Sequence, residues 1–199
     1  MKPLIGLTSE VEMDEKRLID RFCEAAAQAG AEVRREVGRE ELPGLLAGLA
    51  QGPVLLPAFA GGEKLQLTAG LRRQGIDLVD SDFRRRAAEV DLGITGANFA
   101  IADTGTLVLE STPEPIRLAS MLPERHAVIL DPRKILPDMA AATGVLRRFC
   151  EKLPRHYLAY VTGPSRTADI ERVLTIGVHG PKALFILLVE GISDDPLEM

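Results

Sequence analysis

The chain has 199 residues, 46% of them hydrophobic. That suits one compact domain over residues 1–199, with a core that needs no disulfide or metal staple. With 24 basic and 29 acidic residues the net charge is −5, and aromatics are 4% with no Trp; this argues against binding nucleic acid by phosphate neutralisation or base stacking.

Leu18, Ile19, Phe22, Ala25, Ala26 and Ala29 recur at helical spacing, so residues 12–29 read as an amphipathic helix that Gly30 stops. Residues 31–37 are strand-like, and 40–50 form a short helix. Val54-Leu55-Leu56, closed by Pro57, has the form of a buried parallel strand. Residues 63–74 are an amphipathic helix with Arg72 and Arg73 outside. Residues 76–79 are a strand and 82–88 a helix, whose Arg84-Arg85-Arg86 run reads as a solvated face, with a substrate grip as the alternative. Short strands are expected at 106–109, 117–121 and 127–130, then a long helix at 137–152 with Met139, Ala142, Leu146 and Phe149 on one face. Residues 157–161 and 184–189 are the last strands, and the acidic stretch 193–199 is expected to fray. Helices alternating with short apolar strands predict an α/β fold. Its sheet is open and mostly parallel, partly mixed around residues 106–130, and flanked by helices.

Cys23 and Cys150 sit far apart in apolar helical contexts without a CxxC, and read as buried free thiols of a reducing cytoplasm. Two thiols fall short of the four ligands an iron–sulfur cluster takes, so no cluster and no metal site are expected on this chain alone. No basic-then-apolar leader opens the sequence, and no apolar run nears the ~20 residues of a spanning helix. A cytoplasmic protein without a membrane span is the expectation.

Two stretches carry candidate chemistry. In "GITGANFAIADTGTLVLES" (residues 93–111) the glycines Gly96 and Gly105 bracket Asn98, Asp103 and Thr104. Either Asp103, Thr104 and Thr106 present oxygens at a sheet rim, or Asp103 only caps a turn. The stretch is neither GxGxxG nor a Walker loop. In "VTGPSRTADIERVLTIGVHGPK" (residues 161–182) a strand breaks at Gly163-Pro164, and Ser165, Arg166 and Thr167 lead toward an expected helical turn. Free N–H groups at a helix start would attract an anion, with Arg166 and Lys182 adding charge; plain N-capping by Ser165 or Thr167 is the alternative. Both stretches are expected to converge at the carboxyl ends of the strands. His179, flanked by glycines, is a candidate acid–base group or anion donor. His126 and His156 read as structural.

These segments, with "IRLASMLPERHAVIL" (residues 116–130), resemble the LUD domain family in its lactate utilization protein C branch. The resemblance covers the C-terminal half in the expected order. It implies a fold like that of ribose-5-phosphate isomerases and CoA transferases. It also implies a role in oxidising L-lactate to pyruvate beside cysteine-rich partners that carry iron–sulfur clusters. This chain would then be an accessory or substrate-binding subunit that binds a small anionic metabolite. The family's loop usually carries Glu where this chain has Asp103, and many members have His where Phe185 stands. The alternatives are a stand-alone enzyme on a CoA-transferase-like fold, acting on a small phosphorylated or carboxylated metabolite, or a ligand-sensing module without chemistry.

Overall fold

The structure, a computed structural model, describes residues 5–152, 156–167 and 175–199. The chain opens with α1 (Ile5–Gln28) and β1 (Glu32–Arg34), then α2 (Leu42–Leu49) and β2 (Val54–Leu55). Next come α3 (Ala60–Lys64), α4 (Leu67–Arg73), β3 (Leu78–Val79) and α5 (Phe83–Arg86). The middle of the chain holds β4 (Leu92–Gly96), β5 (Phe99–Ile101), β6 (Thr106–Glu110), α6 (Glu114–Met121), β7 (Arg125–Leu130), β8 (Ile135–Leu136) and α7 (Met139–Lys152). The last elements are β9 (Leu158–Val161), β10 (Arg166–Thr167), β11 (Thr175–Ile176) and β12 (Ala183–Leu188).

Six strands form an open, wholly parallel sheet in the order β1-β12-β7-β4-β2-β3. Its apolar residues alternate between faces. Leu92, Ile94, Ala127, Ile129 and Leu187 meet Leu42, Leu46, Leu67 and Leu71 of α2 and α4. The intervening Val128, Leu130, Ile186 and Leu188 meet Phe22, Cys23 and Ala26 of α1 and Leu107 and Leu109 of β6. A second sheet, β8-β5-β6-β9, joins one parallel to two antiparallel pairs. Its other face buries Phe99, Ile101 and Val108 against Ala142 and Phe149 of α7. The mixed pairing therefore lies in this separate sheet, while β7 sits at the centre of the parallel one.

Several expectations change. Residues 117–121 are not a strand but the end of α6, where Ile116, Ala119 and Ser120 bury one helical stripe. The helix expected over 63–74 is two helices, broken where Gln66 takes a positive φ of 51°. Cys150 is exposed, and only Cys23 is buried. Residues 193–199 pack back onto the domain rather than fraying, held partly by an Arg148–Asp195 ion pair at 3.2 Å. Among the described residues no helix is long and apolar enough to cross a membrane.

His126 lies in β7 with 0% exposure; its Nε2 is 2.9 Å from the Thr95 hydroxyl. Its Nδ1 has no partner among the described residues. Burial pushes its pKa down from 6.5 to about 3. The unfolded chain therefore takes up a proton below pH 6.5 that the folded chain refuses until about pH 3. Stability that is present above pH 6.5 is lost as pH falls through this window, by up to about 1.4 kcal/mol per pH unit. Urea denaturation at stepped pH should show the decline, and His126→Gln should flatten it; an equal decline in both proteins would refute the assignment.

Candidate functional site

At the carboxyl end of β7 the sequence Asp131-Pro132-Arg133-Lys134 makes one tight turn. The Asp131 carboxylate accepts from Arg133 N at 3.1 Å and from its guanidinium at 3.0 and 2.8 Å. It also accepts from the backbone N–H groups of Ile192 (2.7 Å) and Ser193 (3.1 Å). Burial would raise this carboxyl, but the hydrogen bonds from Arg133, Ser193 and Ile192 outweigh it and hold the pKa below its ordinary value. The turn sends Lys134 back across the sheet edge. Its Nζ, on a side chain 3% exposed, donates to the carbonyls of Ala97 (2.9 Å) and Glu198 (2.8 Å). Among the described residues no carboxylate oxygen stands within ion-pair distance of that ammonium. Burial lowers its pKa to about 8, against the pull of Asp131 and Glu198.

Ala97 follows β4, and β4 borders the point where the winding reverses. From β2 the chain runs outward to β3; from β4 it leaves the other way, to β7. Crevices outside such reversals are the usual ligand sites of open α/β sheets. Here the walls are the segment 56–62 after β2, with Phe59 buried, and Gly96 at the end of β4. A cavity of about 390 Å³ opens beside it, lined by Leu56, Phe59, Gly62, Gln66, Leu67 and Asp80. Lys64 of α3 stands at the rim, its Nζ 2.7 Å from the Glu198 carboxylate. Lys134, at the Ala97 carbonyl, thus lies beside the reversal crevice, and a buried cation so placed has the chemistry to hold a small anion.

Of the residues singled out from sequence, Gly96 alone lines this crevice. Asn98 is buried, its Oδ1 accepting from Glu110 N at 2.7 Å while its Nδ2 has no partner among the described residues. Asp103 forms an ion pair with Arg21 of α1. Thr104, Thr106 and Thr162 form a chain of hydroxyls at 2.6 and 2.8 Å, so the two glycine-bearing loops do meet, but against α1. Gly105 and Gly163, with φ of +63° and +81°, let them do so: a β-carbon on either would collide with the backbone of Ala25 and Ala26, or with the carbonyl of Ala29.

Residues 166–167 are extended and pair antiparallel with β11; the helical turn expected to follow them lies outside the described residues. Ser165 N donates to Pro181 O and Lys182 N to Glu124 O, at 2.9 and 2.7 Å. These bonds tie the 163–167 turn to the amino-terminal edge of the parallel sheet, so the two loops meet against α1 rather than at the carboxyl ends of the strands. Arg166 donates to Ala29 O at the end of α1, and Lys182 pairs with Glu124 at 2.7 Å. Thr167 is half-buried in β10, and His179 is exposed in the turn before β12. Phe185 packs on the α2–α4 side. Sequence reasoning missed Lys134. Its signal was a lysine set between the Asp-Pro turn that closes β7 and the apolar pair Ile135-Leu136.

Comparison with known proteins gives a consistent picture. The LUD domain profile matches residues 22–189. Lactate utilization protein C of Anoxybacillus flavithermus is 30% identical over 157 residues, covering 76% of this chain and 70% of that protein. The protein of the same name from Bacillus subtilis is 33% identical over 151 residues, 69% of this chain and 62% of that one. A crystal structure of a DUF162 family protein from Deinococcus radiodurans superposes with a TM-score of 0.63 at 20% identity, covering 88% of this chain and 98% of that one. That likeness is one of fold.

The geometry at Lys134 makes a direct prediction. Following the lysine side-chain carbons by NMR through an alkaline titration should show Lys134 losing its proton near pH 8, well below the usual lysine range of about 10.4. A midpoint in the usual range would mean that the ammonium is hydrated rather than buried.

Proposed function

This chain belongs to the LUD domain family, and from that premise we propose that it serves lactate utilization as an accessory or substrate-binding subunit. Its named relatives from Anoxybacillus and Bacillus support the pathway. One observation supports the binding role. The Lys134 ammonium is buried at the reversal crevice and met by carbonyl oxygens rather than by a carboxylate. A 2-hydroxy or 2-oxo acid brings the full negative charge that this ammonium lacks, and charge-assisted hydrogen bonds are roughly twice as strong as neutral ones.

Oxidation of lactate to pyruvate releases two electrons and two protons, and the electrons need a redox acceptor. The sequence contains two cysteines. Cys23 is packed with Phe22 and Ala26 in the core, and Cys150 is exposed on α7. They do not fit a cluster, which takes four ligands. The family resemblance implies iron–sulfur clusters on cysteine-rich partner proteins as the acceptor, and this chain's part is to hold the acid by its carboxylate. Whatever removes the hydrogen from the hydroxyl-bearing carbon is supplied by those partners.

Lactate-dependent dye reduction tests this reading under anaerobic conditions. The isolated chain should show no turnover, and the cysteine-rich partners should lose at least about tenfold in rate when the chain is omitted, a loss of ~1.4 kcal/mol or more. Turnover by the isolated chain would favour the stand-alone enzyme. Lactate or pyruvate binding with no effect on the partners' rate would favour the sensing module.

A further inference from the structure

The reversal crevice is filled by the chain itself. Beyond β12, Ile192 and Ser193 are pinned to Asp131, and Asp195 reaches Arg148 of α7. Leu197 packs with the apolar cluster under α7. The Glu198 carboxylate takes Lys64, while its carbonyl accepts from Lys134. The Met199 backbone oxygen accepts from Gly61 N at 2.8 Å. Its side chain fills the space over Gly96, with Cγ only 2.8 Å from where a β-carbon on that glycine would stand. It also packs with the apolar cluster that includes Phe59.

What the segment offers the crevice is a chemical pattern: two backbone oxygens aimed at N–H donors, with a short apolar group beside them. A carbonyl carries only a partial charge, so Lys134 stays unneutralised while the segment is in place. We propose that residues 194–199 are an internal occupant of this crevice, and that a small carboxylate bearing a short apolar group displaces them to reach Lys134. That residues 194–199 occupy the crevice follows from the contacts; the choice of a 2-hydroxy or 2-oxo acid as the displacing ligand rests on the proposed function.

Charge favours the exchange. Lys134 is faced by Asp131, Glu198 and Asp195, and by Lys64. When residues 194–199 leave, Glu198 and Asp195 leave with them. Asp131 keeps Arg133 as its partner. The crevice then presents Lys134 and Lys64 with no carboxylate between them. The ties being broken are modest, since Lys64 and Glu198 are both partly exposed, and ion pairs of that kind bind weakly. While the segment is docked, apparent affinity is reduced by the fraction of molecules in which it is open.

The test uses the full chain, calorimetric titration with pyruvate and with inorganic phosphate, and NMR of methyl-labelled methionine. Pyruvate should bind, and at saturation the Met199 methyl signal should move to the position of a solvent-exposed methionine. Glu198→Ala should bind pyruvate about two- to fivefold tighter, because it loosens the occupant. Lys134→Met should weaken binding at least about tenfold. A Met199 signal unmoved at saturation, with binding still dependent on Lys134, would overturn the displacement and leave the substrate-binding role standing. Equal binding and equal displacement by phosphate would overturn the requirement for a carboxylate with an apolar group. Absence of pyruvate binding in both wild type and Glu198→Ala would overturn the displacement and the substrate-binding role together.

Discussion

An ammonium taken out of water must be compensated by hydrogen bonds and by charge, and Lys134 has the first without the second. Two carbonyl oxygens satisfy two of its N–H bonds, and its nearest firmly held carboxylate, Asp131, is already bound by Arg133 and two backbone N–H groups. Burial of a charge in this state costs free energy that a structural role does not require, because an apolar side chain would fill the same space more cheaply. The carboxyl edge of the sheet is organised around that cost. The Asp-Pro turn after β7 aims the side chain, β4 and β2 part to make the crevice, and the segment after β12 folds over to supply the second carbonyl.

A second constraint fixes how the small sheet meets the large one. The C-terminal half of α1 packs against the loops after β5 and β9, and it comes so close that glycine alone fits at 105 and 163. The hydroxyls of Thr104, Thr106 and Thr162 and the Arg166 guanidinium then satisfy polar groups along the seam. The features that made these loops look like ligand sites in the sequence, glycines next to hydroxyls and a cation, are the same features that close packing on a helix requires.

Periodicity read the core well. Phe22 and Ala26 on α1 lie where helical spacing put them, and the short apolar runs from residues 54, 127 and 184 are buried strands. It failed where two patterns overlap. In "IRLASM" the apolar spacing is short enough to pass for a strand, and only the packing of Ile116 and Ala119 against the sheet selects the helix. Composition misled at residues 193–199, where acidity argued for fraying. The partners that hold the segment, Lys64, Lys134 and Arg148, are 47 to 134 positions away in sequence, so no local signal could reveal them. The same distance hid the site. Lys134 becomes distinctive only once Ala97 and Glu198 are beside it.

A crystal structure of the full chain grown with pyruvate tests the central claim most directly. The account predicts a carboxylate within hydrogen-bonding distance of Lys134 Nζ, in the place now taken by the Glu198 carbonyl, with residues 198–199 lifted from Gly96 and Gly61. Pyruvate bound at the amino-terminal edge near Lys182, with Lys134 still on the Glu198 carbonyl, would contradict it.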